Sequence, residues 1–144
     1  CKLARDLTLV PILRAGLGMA EHVHQLFPSA RMGHIGIFRD ENTLDPVVYY
    51  SKLPPRIWET DVIVIDPMIA TAGSLVKAIE VIKQTGATSV QVLCLVAAPE
   101  GLERMLKHHP NVRIFTAAVD QGLNARGYII PGLGDAGDRL YGTA

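Results

Sequence analysis

Hydrophobic runs punctuated by glycine and proline divide this chain into alternating strands and helices. "LTLVPIL" (7–13) predicts a short buried strand, broken by "RAGLG". Helical spacing follows, with Met19, Val23, Leu26 and Phe27 at i, i+4, i+7 and i+8. "RMGHIGIF" (31–38) is the next strand candidate. "RDENTLDP" (39–46) is polar, has no period and ends in proline, which predicts a loop. "VVYYSKL" predicts an edge strand or hairpin arm, and "PPRIWET" an irregular connector.

The pattern is clearest in the centre. "DVIVID" (61–66) has the continuous apolar character of a strand buried on both faces of a parallel sheet. Leu75, Ala78, Ile79 and Ile82 form one helical stripe ending near Gly86. "SVQVLCLVAA" (89–98) is a strand, "GLERMLKHH" a short helix with Leu102, Met105 and Leu106 on one face, and "VRIFTAAV" (112–119) a further strand. This alternation requires right-handed crossovers. It predicts an α/β fold: a doubly wound, mainly parallel sheet with helices on both faces, plus a β-arm or flap. No repeat, low-complexity tract or linker interrupts it, so one domain over 1–144 is expected.

Composition narrows the picture. A chain of 144 residues buries a core without disulfides or metal. Fourteen basic residues balance fourteen acidic ones, which disfavours nucleic acid or an anionic membrane as partner and makes any anion site local. Cys94 lies within "VQVLCLVAA", so a buried free thiol is expected rather than a bridge to Cys1. That expectation, with no signal peptide and no membrane-length apolar run, places the chain in the cytoplasm. The first residue is Cys rather than Met, so the chain is expected to be incomplete at its amino end.

Candidate chemistry centres on "VIVIDPMIATAGS" (62–74). Ligands of open α/β sheets bind beyond the carboxyl ends of the strands, where this stretch places an acid, a loop of small residues and a helix start. Backbone amides at a helix amino end attract phosphate, and Thr71 and Ser74 add hydroxyl donors. The competing reading is that Thr71 or Ser74 caps the helix. Asp66 offers an acceptor for sugar hydroxyls or metal-bound water, although Asp-Pro is also an ordinary turn opener. The P-loop is excluded because no lysine follows Gly73, and the dinucleotide fingerprint because Glu21 stands at its third glycine. Arg14 directly follows the first predicted strand and precedes glycines that would turn amides toward an anion; a surface arginine before a turn is the plainer alternative. The tail "GYIIPGLGDAGDRLYG" (127–142) holds five glycines, and its Tyr128, Ile129, Ile130 and Leu133 argue for a loop shaped around something rather than disorder.

Together "VPILRAGLGM", "DPMIATAGS", "LVAAPEG", "DQGLN" and "GYIIPGLGDAGDR…YGT" resemble the uracil phosphoribosyltransferases, through nearly the whole chain. Pro67 replaces the second of two adjacent acids found in broader relatives, as in the uracil branch. The resemblance implies formation of UMP and pyrophosphate from uracil and 5-phosphoribosyl 1-diphosphate (PRPP), with Mg²⁺ carried by PRPP and no protein metal ligand directly assigned. It implies that Asp66, Pro67, Met68, Ile69, Ala70, Thr71, Ala72, Gly73 and Ser74 hold the ribose hydroxyls and 5′-phosphate. Arg14 would hold pyrophosphate, and Arg39 would reach the same ligand from a mobile flap. Ile129, Gly134, Asp135 and Ala136 would read uracil, with Asp135 also beside PRPP. Arg39, Asp66 and Asp135 are the expected catalytic residues. A homodimer or larger homo-oligomer is expected; activation by GTP is left open.

Displacement at the anomeric carbon needs positioning and electrostatics rather than a protein nucleophile. Uracil presents carbonyl acceptors and a ring N–H that backbone groups can match, whereas cytosine reverses the pattern at two atoms. His22 and His24, two apart, make a poor metal pair on a helix. His108 and His109 read as dipole compensation at a helix end. Met19, Met68 and Met105 read as packing residues, and Trp58, Tyr49 and Tyr50 as a subunit interface.

Two departures from the family stand out. Its phosphate loop commonly reads Thr-Gly-Gly-Ser, and this chain has Ala72 at the first of those glycines; a negative φ is expected there. Members also carry several dozen residues before "VPILRAG", where this chain has nine, which bears on stability and assembly. The alternative to an enzyme is a truncated, non-catalytic PRPP- or UMP-binding or regulatory module. A transferase for another base is a third reading.

Overall fold

The computed structural model describes residues 5–40, 43 and 45–143. Cys1 and parts of the 39–46 segment (Glu41, Asn42 and Leu44) lie outside them. The elements in order are β1 (Leu7–Leu13), α1 (Ala15–Leu26), β2 (Arg31–Met32), β3 (His34–Arg39), β4 (Pro46–Lys52), a 3₁₀ turn (Ile57–Glu59), β5 (Asp61–Ile65), β6 (Met68–Ile69), α2 (Gly73–Gln84), β7 (Val90–Ala97), α3 (Pro99–His108), β8 (Arg113–Val119), β9 (Gly122–Leu123), β10 (Ile129–Ile130) and α4 (Ala136–Tyr141).

Eight strands make one sheet, and β9 pairs antiparallel with β10 in a separate ribbon. β2 and β3 run end to end beside β1, and β6 continues the line of β5, so the order across the sheet is β4–β3–β1–β5–β7–β8. All neighbours are parallel except β3 and β4. Alternation along each central strand feeds two cores. Val10, Ile12, Val62 and Val64 pack with Leu75, Ile79 and Ile82 of α2 and Met105 of α3. Leu7, Leu9 and Ile65 pack with Ala20, Met19 and Val23 of α1. Helices on both faces and a mainly parallel sheet are the expected fold class, with β4 as its antiparallel arm.

Some expectations change. The glycines after Arg14 do not turn amides toward a ligand: Gly16 and Gly18 already lie in α1, and a Cβ at Gly16 would strike the Ile65 carbonyl, so this glycine lets α1 approach β5. Leu26 and Leu106 are exposed, because their helices bury narrower stripes than the spacing suggests. The tail is a ribbon and a helix rather than a loop. Arg39 is the last residue of β3, paired with Pro46, rather than part of the loop. His109 is no cation at a helix end. Burial lowers its pKa, Nε2–H donates to the Val76 carbonyl at 3.3 Å, and Nδ1 accepts from Lys83 at 3.2 Å, so the neutral ring ties α3 to α2. Cys94 is a buried free thiol, as expected. Among the described residues, no helix is long and apolar enough to cross a membrane.

Candidate active site

The carboxyl ends of β1, β3 and β5 deliver Arg14, Arg39 and Asp66 to one edge of the sheet. Beyond Asp66 the chain is anchored to β7: the Pro67 carbonyl accepts from Leu95 and Val96 at 2.9 and 3.1 Å, and the Ile69 carbonyl from Ala98 at 2.8 Å. These bonds hold the loop rigidly. They also fix the separate duties of its residues. Pro67 and Ile69 are buried supports, whereas Asp66, Met68 and Ala70 line a cavity of about 330 Å³.

α2 starts at Gly73 with no side-chain cap. The capping reading of Thr71 and Ser74 is therefore set aside. Thr71 Oγ1 accepts from Arg39 Nη2 at 2.8 Å instead, and the first amides of α2 are left without a side-chain acceptor. Ala72 departs from expectation. Its φ of 59° and ψ of 8° are left-handed, not negative. That conformation crowds Cβ against the backbone and costs an alanine about 1–2 kcal/mol. The loop holds its shape because Val76 N–H donates to the Ala72 carbonyl at 2.9 Å and β7 holds the preceding residues. The strain leaves the backbone donors in place.

The tail closes the site from above. Asp135 caps α4, accepting from the Asp138 N–H at 2.9 Å. Ile129, Gly134, Asp135 and Ala136 line the same cavity as Asp66 and Arg39. All the residues expected to read a base thus meet those expected to hold ribose. Gly127, at φ 78°, lies against the loop that leads into α2; a Cβ there would sit 3.5 Å from the Thr71 methyl. An adjoining cavity of about 400 Å³ brings Arg14, Ser74, Asp66 and Asp135 together, with Tyr49 on its wall. The Tyr49 ring fills the space over Gly36 that a Cβ would occupy.

Burial pushes the Asp66 carboxyl up to about 7; the Met68 backbone N–H opposes the rise, and the charge of Asp135 adds to it. Asp66 and Asp135 form the acidic pair of the cavity, and no group of three or more His, Cys, Asp or Glu suited to a metal occurs among the described residues. Two carboxylates whose charges oppose each other fit a divalent cation that keeps most of its ligands from a substrate and water.

Sequence reasoning missed two sets of residues. Asp138 and Tyr141 of α4 and Thr143 just beyond it hold Arg14: Asp138 Oδ1 and Thr143 Oγ1 accept from Arg14 Nη2 at 3.0 and 3.3 Å, and the Tyr141 ring centre lies 5.8 Å from the guanidinium. The signal was available in the capping-box spacing of Asp135 and Asp138. Arg104 of α3 reaches the Thr71 carbonyl, and no motif marks it. A mainly apolar hollow of about 550 Å³ between α1 and α4 adjoins this cavity, sharing Met68 and Ala136 with it, and has no acid among its lining residues.

The model of one family, uracil phosphoribosyltransferase, matches residues 2–143. The chain belongs to that family. It is 57% identical over 139 residues to the uracil phosphoribosyltransferase of Bacillus pumilus, covering 96% of this chain and 66% of that protein. The enzyme of Dictyoglomus turgidum is 56% identical, with 96% and 67% covered. The chain therefore spans about two thirds of the length of these curated relatives. A solved structure of a protein from Aquifex aeolicus superposes with a TM-score of 0.92 at 45% identity, over 97% of this chain and 67% of that one. A purine phosphoribosyltransferase from Pyrococcus horikoshii superposes at 0.66 with 18% identity, over 82% and 72% of the two chains, a likeness of fold alone. The fold is that of the phosphoribosyltransferases, and the tail from Gly127 is the part sequence patterning left without secondary structure.

Proposed function

We propose that this chain transfers the phosphoribosyl group of PRPP to uracil, giving UMP and pyrophosphate. The observation that carries the reading is the uncapped amino end of α2, with Arg39, Asp66 and Asp135 converging on the cavity beside it. The amides of Gly73 and Ser74 and the hydroxyls of Thr71 and Ser74 take the 5′-phosphate. Asp66 accepts from the ribose hydroxyls. Arg14, fixed by α4, faces the diphosphate, and the backbone of 134–136 with Ile129 orients uracil so that N1 faces ribose C1.

The C1–N1 bond forms as the bond from C1 to the diphosphate oxygen breaks, and the uracil N1 proton passes to the departing diphosphate or to solvent. No covalent enzyme intermediate is required. Arg14 and Arg39 stabilise charge growing on the leaving group, and positioning supplies the rest. Mg²⁺ bound with the diphosphate supplies further charge neutralisation there, and Asp66 and Asp135 are the residues that would hold it. A cytoplasmic setting, a homo-oligomeric assembly and activation by GTP extend the proposal on family resemblance alone.

The test is UMP formation from labelled uracil, PRPP and Mg²⁺, with cytosine, hypoxanthine and orotate as competitors. Product from uracil alone supports the reading. Binding of PRPP or UMP without turnover supports instead a non-catalytic module, and product from another base relocates the specificity.

A further inference from the structure

Two guanidinium groups approach Thr71 from different elements. Arg39, at the end of β3, donates to its hydroxyl at 2.8 Å. Arg104, exposed on α3, donates from Nη1 to its carbonyl at a long 3.4 Å, and the same nitrogen lies 3.7 Å from where a Gly73 Cβ would stand. Both arginines line a cavity of about 300 Å³ together with Gly73 and Ser74. Their charge is not spent on protein carboxylates. Arg5, Arg14, Arg31 and Arg56 each pair with an acid, whereas Arg39 and Arg104, like Arg113, Arg126 and Arg139, have no ion pair among the described residues. Asp45, which lines the same cavity, pairs with neither.

We infer that Arg104 is a direct contact for the substrate phosphate, donating to an oxygen of the phosphomonoester seated on the 71–74 loop. The inference rests on the reading of that loop as the 5′-phosphate seat. A phosphomonoester carries about −1.5 to −2 charge at neutral pH, more than the roughly half charge of a helix amino end offsets. Arg104 supplies a compensating cation, and its guanidinium fork retains donors beyond the one used on the Thr71 carbonyl. Its position one turn past Gly101 follows from packing: a Cβ at Gly101 would strike the Ala70 carbonyl, so α3 lies against the loop closely enough for Arg104 to reach it.

The experiment is calorimetric binding of UMP, ribose 5-phosphate and uridine to the chain and to R104A, R104K and R104E, at two salt concentrations. Arg104 is exposed, so these variants keep the core intact. R104A weakens UMP and ribose 5-phosphate by about tenfold and leaves uridine unchanged, and R104K recovers part of the loss. R104E weakens the phosphorylated ligands further, and the salt dependence of UMP binding becomes shallower in R104A. UMP affinity in R104A within about twofold of the original overturns the inference while leaving the proposed function standing. Arg104-dependent binding of ribose 5-phosphate by a chain that forms no UMP keeps the contact and overturns the catalytic reading. A chain that binds neither UMP nor ribose 5-phosphate overturns both.

Discussion

Arg14 and Arg39 end adjacent strands of one sheet, yet their surroundings are opposites. Arg14 is held by Asp138 and Thr143, lies over the Tyr141 ring, and its own carbonyl accepts from the Tyr141 hydroxyl at 3.1 Å. Arg39 has a single short contact, to the Thr71 hydroxyl. A cation fixed and partly neutralised by a carboxylate is ready for a ligand but gives it less net charge. An unpaired cation holds its full charge for whatever negative charge develops nearby. The Arg14 side is therefore organised by the tail, and the Arg39 side keeps its charge in reserve.

The sharpest way to break this comparison is R39A. Turnover is expected to fall by about 10²–10³-fold, with UMP affinity reduced far less, because the unpaired cation acts mainly on the departing diphosphate. Equal loss in kcat and UMP affinity would assign Arg39 to ground-state binding alone.

D66N comes next, and it separates activity from stability. The folded chain holds the Asp66 proton up to about pH 7. An acid with a raised folded pKa leaves stability intact below its unfolded value of about 4 and lowers it as pH rises from there to the folded pKa. Asparagine removes that ionisation. D66N is expected to lose at least about tenfold in turnover while gaining about 1–2 kcal/mol of stability at pH 8, with a flatter stability profile between about pH 4 and 7. Denaturant unfolding across that range checks it. An unchanged pH profile would show that Asp66 ionises normally.

D138A should act through Arg14. The KM for PRPP is expected to rise by about five- to tenfold with a smaller change in kcat, since the guanidinium survives but loses its fixed direction. D138N should recover part of the loss by keeping one acceptor. A kcat effect equal to that of R39A would erase the distinction between the two arginines.

The smallest expected effect is that of A72G. Glycine adopts the left-handed conformation without crowding but loses more entropy on folding, so the net gain is about 0.5–1 kcal/mol in unfolding free energy. PRPP affinity should be unchanged or slightly improved. Destabilisation would show that the Ala72 methyl, which is buried, contributes more by packing than its backbone costs.

Much of this was legible beforehand, and for identifiable reasons. Asp66 to Ser74 is one contiguous stretch between a strand and a helix, so its place at the sheet edge follows from local pattern and the general rule for ligands in α/β sheets. Shortness concealed α4, because a helix of six residues has little periodicity to show. Arg104 was invisible because nothing near it in sequence distinguishes an exposed helix arginine from any other.

The sequence by itself determined the alternation of strands and helices, the two apolar faces of the sheet, the small-residue loop after Asp66 and the family. These depend on interactions among residues a few positions apart, which a linear pattern records. Only the tertiary structure decided that Arg14 meets Asp138 and Thr143 across 124 and 129 residues, that Ala72 is left-handed, that α2 goes uncapped and that Arg104 faces Thr71. Each depends on where separately folded elements come to rest when both faces of the sheet are covered, and no local preference carries that information.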